Sequence, residues 1–194
     1  MTKLPGSPVA TVFDQNDSSA WVADKSGAIS HVAVGGQLVG TPGHSDPAAT
    51  GIAWGEGWLW AANGAPNGLV RVSLDGSGSS TAFAAGQHPV AVALNSGVWV
   101  ANANGHVTLF NPQALKLTAD LPVAPQLDAI AATDPSRYVW AISKSNKALY
   151  RITATDTPAV TGSVKFTASP TALAVNANSV WVATEDKQVI EIRF

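Results

Sequence analysis

Five segments built around a tryptophan recur along the chain at a spacing near 40 residues. They are Ala20-Trp21-Val22-Ala23-Asp24, Leu59-Trp60-Ala61-Ala62-Asn63, Val98-Trp99-Val100-Ala101-Asn102, Val139-Trp140-Ala141-Ile142-Ser143 and Val180-Trp181-Val182-Ala183-Thr184. The tryptophans stand 39, 39, 41 and 41 residues apart. A fixed period of that length marks a repeat architecture, in which each unit leaves an apolar face for its neighbour to cover.

The third repeat shows the unit most clearly. An apolar run at 90–94 is followed by the turn Asn95-Ser96-Gly97 and the tryptophan strand 98–101. A polar turn at 102–105, a third run at 107–110, the turn Asn111-Pro112 and a fourth run at 115–121 complete it. Short β-rich runs split by Gly, Asn, Asp and Pro read as antiparallel strands joined by hairpins. No stretch carries a capped apolar period of 3.6, so essentially no helix is expected.

Four strands per unit of about 40 residues is the blade of a β-propeller. The first two strands, A and B, are apolar on both faces, as in Ala91-Val92-Ala93-Leu94 and Ala172-Leu173-Ala174-Val175. Strands sandwiched between neighbouring blades require this. The fourth, D, is more polar, as an outer edge strand should be. The expected fold is therefore all-β: one domain, a five-bladed propeller of four-stranded antiparallel blades. The blades are expected at about 8–46, 47–88, 89–127, 128–169 and 170–194 plus 1–7. The last repeat supplies only strands A, B and C. The segment Thr2-Lys3-Leu4-Pro5-Gly6-Ser7-Pro8 resembles Val164-Lys165-Phe166-Thr167-Ala168-Ser169-Pro170. The N-terminal strand is therefore expected to pair with strand C at 189–194 and close the ring, which removes an exposed edge.

Charge excludes several functions. Charged residues make up 12% of the chain, net charge is −2, and the eleven basic residues are scattered. No nucleic-acid footprint or polybasic membrane patch is present. No segment approaches the roughly 18 apolar residues of a membrane-spanning helix. The absence of cysteine removes disulfides, thiolate catalysis and Cys-based zinc sites. No dinucleotide loop, phosphate loop or nucleophile elbow appears.

The repeats carry a family resemblance. Residues 98–102 with Gly105-His106-Val107, 59–63 with Gly68-Leu69-Val70-Arg71-Val72, and Leu149-Tyr150-Arg151-Ile152 resemble the propeller superfamily of YVTN-type repeats, streptogramin B lyases and NHL repeats. The resemblance covers nearly the whole chain and implies the fold. Similar propellers in actinobacteria are sensor domains of receptor-like Ser/Thr kinases, which implies an extracytoplasmic or secreted setting. The superfamily's lyases use His and Glu with Mg²⁺ on the top face, and no residue here matches those positions one by one.

In a propeller the D–A connections and B–C turns share that top face, around the channel mouth. His44, Asp46, Asn63, His88, Asn102, His106, Gln126 and Glu185 all fall there. His and Asp together suit a divalent metal or acid–base work. The same residue types are also ordinary turn formers, and no metal-binding spacing supports a site. The expectation is a non-catalytic recognition module holding a small molecule, glycan or protein at the top face, with no cofactor, no metal and no catalytic residue. The alternatives are a metal-assisted lyase or hydrolase and a purely structural or engineered ring. Trp54 and Trp58 fall outside the repeat. They form a second candidate, an aromatic patch on the face of the A–B turns, against framework roles in the ring floor and over a neighbouring blade.

Overall fold

The computed structural model describes residues 3–55, 57–75, 77, 80–133 and 136–194. The chain forms five antiparallel sheets. Blade 1 holds β1 (Pro8–Asp14), β2 (Ser19–Asp24), β3 (Ala28–Val32) and β4 (Leu38–His44). Blade 2 holds β5 (Gly51–Gly55), β6 (Trp58–Ala62), β7 (Leu69–Val72) and β8 (Ser80–Phe83). Blade 3 holds β9 (Pro89–Leu94), β10 (Val98–Asn102), β11 (His106–Asn111) and β12 (Lys116–Pro122). Blade 4 holds β13 (Ala129–Ala132), β14 (Tyr138–Ser143), β15 (Ala148–Thr153) and β16 (Val160–Lys165). Blade 5 holds β17 (Pro170–Val175), β18 (Ser179–Thr184) and β19 (Val189–Arg193). The five-bladed, all-β architecture expected from the period is the one observed. No helix among the described residues is long and apolar enough to cross a membrane.

The apolar runs separate by strand alternation into two faces per blade, and each face packs on the next blade. Trp21, Ala23 and Ile29 of blade 1 pack with Ile52, Leu59, Ala61 and Val72 of blade 2. Trp60, Ala62 and Leu69 of blade 2 pack with Val92, Val98 and Val100 of blade 3. Trp99 and Ala101 of blade 3 meet Val139 and Ala141 of blade 4. Trp140 and Ile142 of blade 4 meet Val180 and Val182 of blade 5. The tryptophan of each blade thus fills the junction with the blade that follows. Trp21, Trp60, Trp99 and Trp140 are all buried, whereas Trp181 is only partly so.

Among the described residues, the N-terminal strand expected to close the ring is not formed. Blade 5 has three strands, and residues 3–7 form no strand, while Met1 and Thr2 lie outside the described residues. The Lys25 amide donates to the Ser7 carbonyl at 2.9 Å, which ties this segment to blade 1's own B–C turn. The inner strands β1, β5, β9, β13 and β17 pack side by side in that order. Among the described residues, no comparable packing joins β17 back to β1, and the apolar clusters fill four junctions rather than five.

The polar residue ending each strand B has a framework role. Asp24 Oδ1 accepts from the Ser26 amide at 2.8 Å and the Ala28 amide at 3.2 Å. Asn63 Oδ1 accepts from the Ala65 amide at 3.3 Å. Thr184 Oγ1 donates to Asp186 Oδ1 at 2.5 Å. A side-chain oxygen bonding the backbone two residues on builds the turn locally. These buried polar groups therefore satisfy turns first.

Three exposed carboxylates are held below their ordinary range by local donors. Hydrogen bonds from Ser77 and Ser73 hold Asp75 at about 2. Ser19 lowers Asp17, and Arg193, then Ser179, lowers Glu191. A carboxyl depressed in the folded state adds stability above its unfolded value near 4, which is lost as pH falls through the folded value. Urea unfolding between about pH 4 and pH 2 should therefore weaken with acid, and the Asp75→Asn variant should lose part of that slope.

Candidate functional site

The top face does not draw its histidines together. His88 has a positive φ of 55°, and its Nδ1 lies 2.9 Å from the Gly64 carbonyl, which links the connection into blade 3 to blade 2's B–C turn. His106 Nδ1 lies 2.7 Å from Asp120 Oδ1 on the neighbouring strand of blade 3. The His44 imidazole lies against Gly27 of its own blade, where a Cβ would come within 2.8 Å of the ring. Among the described residues, no three His, Asp or Glu side chains are grouped to hold a metal ion.

Two of the candidates lie inside the framework. Asn102 is fully buried, and its Nδ2 donates to the His106 carbonyl at 3.3 Å and to Thr108 Oγ1 at 3.2 Å. Thr108 Oγ1 in turn donates to the Ala85 carbonyl, stitching blade 3 to the connection entering it. Asn63 is 7% exposed and holds the turn described above. Asp46, Gln126 and Glu185 are exposed at the same end of the molecule, on different blades.

The opposite end holds a concave space. The inner strands and A–B turns of all five blades line this channel of about 830 Å³. Its wall includes Val12, Phe13, Ile52, Trp54, Leu94 and Ile130. Its rim carries the exposed amides Gln15 and Asn16, whereas Asn95 is buried and donates from Nδ2 to the Ser136 carbonyl at 2.8 Å, and Asn176 Oδ1 accepts from the Asn178 and Ser179 amides at 2.9 and 2.8 Å. No charged side chain lines it among the described residues.

Trp54 is the fixed aromatic of that wall. Its ring stacks on Trp21 with centroids 5.8 Å apart and planes 23° apart. Trp21 stacks in turn on His31 at 4.3 Å and 9°. His31 Nε2 lies 2.7 Å from Ser19 Oγ and 3.4 Å from Asp17 Oδ2. The column sets the indole in one orientation, while Trp54 itself is only partly buried. Trp58 is placed elsewhere. It pairs with Gly55 rather than Trp54, so strand alternation puts it on the other face of blade 2. There it is 42% exposed, with the Arg71 guanidinium 4.1 Å from its ring centroid. That cation–π contact gives Trp58 a packing partner on its own blade.

The channel residues were hard to identify from sequence because most are the small and apolar residues that any inner strand carries. Trp54 is the exception: it stands where the third repeat has Leu94, and both line the channel.

No family model and no curated protein matches the sequence. Solved structures do match its shape. The chain is similar to virginiamycin B lyase from Staphylococcus aureus, with a TM-score of 0.77 at 16% identity over 99% of this chain and 69% of that one. It is similar to a streptogramin B lyase, with a TM-score of 0.68 at 16% identity over 100% of this chain and 71% of that one. The Pan2 WD40 domain of Neurospora crassa gives a TM-score of 0.72 at 12% identity over 96% of this chain and 60% of that one. The chain is a β-propeller, of the fold shared by streptogramin B lyases and WD40 domains. At these identities the likeness is one of fold, and a fold hosts many functions.

Proposed function

We propose that the chain is a non-catalytic binding module whose ligand seat is the channel at the A–B-turn end, and that the ligand is a neutral, ring-bearing molecule of the carbohydrate class. The observation that carries this reading is the chemistry of the channel wall: a column-supported tryptophan, the exposed amides Gln15 and Asn16, and no charged side chain among the described residues. Sugars present an apolar face that stacks on an indole and hydroxyls that amides both donate to and accept from. Among the described residues of the wall, a charged ligand would meet no counter-charge on leaving water. The volume, about 830 Å³, is of the size of small-molecule sites.

The test is thermal unfolding against neutral oligosaccharides, with anionic sugars and divalent cations as controls. A ligand at 100 times its dissociation constant adds about 2.7 kcal/mol, which raises Tm by roughly 5–11 °C in a domain of this size. The expected result is such a rise with a neutral sugar, abolished by Trp54→Ala and retained in His88→Ala. A rise confined to divalent cations, or one that survives Trp54→Ala, overturns the reading.

A further inference from the structure

The molecule builds one kind of junction four times and leaves its two halves open at the ends. In each junction the tryptophan face of one blade is covered by the strands of the next. Blade 5 carries the same face: register places Ala172 with Ala183 and Ala174 with Trp181, opposite the side packed on blade 4. Nothing covers it. Ala172 and Ala174 are exposed, Trp181 is half-buried, and Val189 is 71% exposed. Blade 1 carries the complementary face. Val9, Thr11 and Phe13 of β1 lie with Ala20 and Val22 of β2, opposite the side packed on blade 2. Val9 is 42% and Phe13 58% exposed.

The missing strand belongs to the same junction. In blades 1 to 4 the third strand is covered by a fourth, whereas among the described residues β19 pairs only with β18 and leaves an edge free. Beside that edge lies a groove of about 210 Å³ lined by Val164, Ile192 and Phe194 over the buried Trp140 and Leu149. The fourth strand of each complete blade leads through its connection into β5, β9, β13 or β17. Two of those connections are fixed by the same bond: the Ala103 amide donates to the His88 carbonyl at 3.0 Å, and the Glu185 amide to the Ser169 carbonyl at 3.0 Å. Each acceptor is the residue before the proline that opens the inner strand. Ser7 stands before Pro8 in the same way and accepts from Lys25 at 2.9 Å. Residues 3–7 therefore enter β1 as a connection enters β17, arriving from where a preceding blade's fourth strand would be.

We propose that the chain associates head to tail with a second copy of itself. Blade 1 of one copy seats on blade 5 of the other as its next blade, and the segment ahead of Ser7 lies along the free edge of β19. The occupant follows from continuity: among the described residues, the faces matched to a tryptophan face are backward blade faces, and blade 1 presents the one left uncovered. Donation of an extended segment to a sheet edge and insertion of Trp181 into an apolar face supply the affinity. The contact is heterologous, so each added copy presents the same free face again.

Sedimentation velocity of the purified chain over a hundredfold range of concentration tests this. The expected result is a mass that rises with concentration above the 19.9 kDa of one chain. Trp181→Glu and Val22→Glu should each weaken association at least tenfold. Mixed, they should form a one-to-one dimer and nothing larger, since each retains the face the other lacks. Val189→Lys, at a largely exposed position that leaves the fold intact, should also weaken association if Trp181→Glu fails to fold. A single species of 19.9 kDa at every concentration overturns the proposal, as does assembly of the Val189→Lys chain at the wild-type level.

Discussion

Trp60→Ala destabilises the chain by about 3–5 kcal/mol, lowering Tm by roughly 6–20 °C. Trp60 is fully buried and meets Phe83 at 5.8 Å and Phe110 at 5.7 Å between ring centroids. Removing it empties the junction of blades 2 and 3, where Val98 and Val100 cannot move inward without leaving their own strand pairing. The same change at Trp181 in a dilute sample costs about 1–2 kcal/mol, because much of that side chain still meets water. Equilibrium urea unfolding of both variants reads the contrast. Equal costs would mean that Trp181 is as buried as Trp60, and so that the flank of blade 5 is covered within one chain.

Gly105→Ala is expected to cost about 2–5 kcal/mol, from left-handed backbone strain and overpacking together. Gly105 has φ +85° in the B–C turn of blade 3, and a Cβ there would overlap the Ala124 carbonyl. Its own carbonyl accepts from the Val123 amide at 3.0 Å and the Ala124 amide at 3.1 Å. The turn therefore cannot back away without breaking the link to the strand that leaves blade 3. Gly57→Ala is the matched control: its φ is +72°, with nothing near the position of a Cβ. It should show the backbone cost alone, about 1–2 kcal/mol. Similar losses in the two variants would remove the steric part of this account.

The repeat made the blades legible because its signal is local and redundant. Every tryptophan strand is flanked by the same turn chemistry, and alternation assigns Trp60 and Leu59 to opposite junctions without reference to the rest of the chain. Closure depends instead on the small rotation from each blade to the next, summed over the ring. No single repeat encodes that sum, so the likeness of residues 2–8 to 164–170 suggested a strand in place. The structure keeps only its connection to β1, through Ser7.

The candidate site was legible in part for a related reason. Asn63 and Asn102 sit at strand ends facing the channel mouth, where short polar residues also complete turns. Burial decides between the roles: Asn63 Oδ1 and Asn102 Nδ2 are committed to neighbouring framework groups. Trp54 stood out because it breaks the repeat. The stacked column of Trp21 and His31 that fixes it is a contact between blades, and pairs that far apart in sequence leave no local pattern.

The ligand seat is tested most directly by the seven tryptophan indole N–H resonances in a proton–nitrogen spectrum, titrated with neutral oligosaccharides. Occupation of the channel shifts Trp54 first and Trp21 behind it, and leaves Trp58 and Trp140, which do not line it, in place. Shifts confined to the imidazoles of His44, His88 and His106, with Trp54 unmoved, would put the ligand at the other end of the propeller and contradict the account.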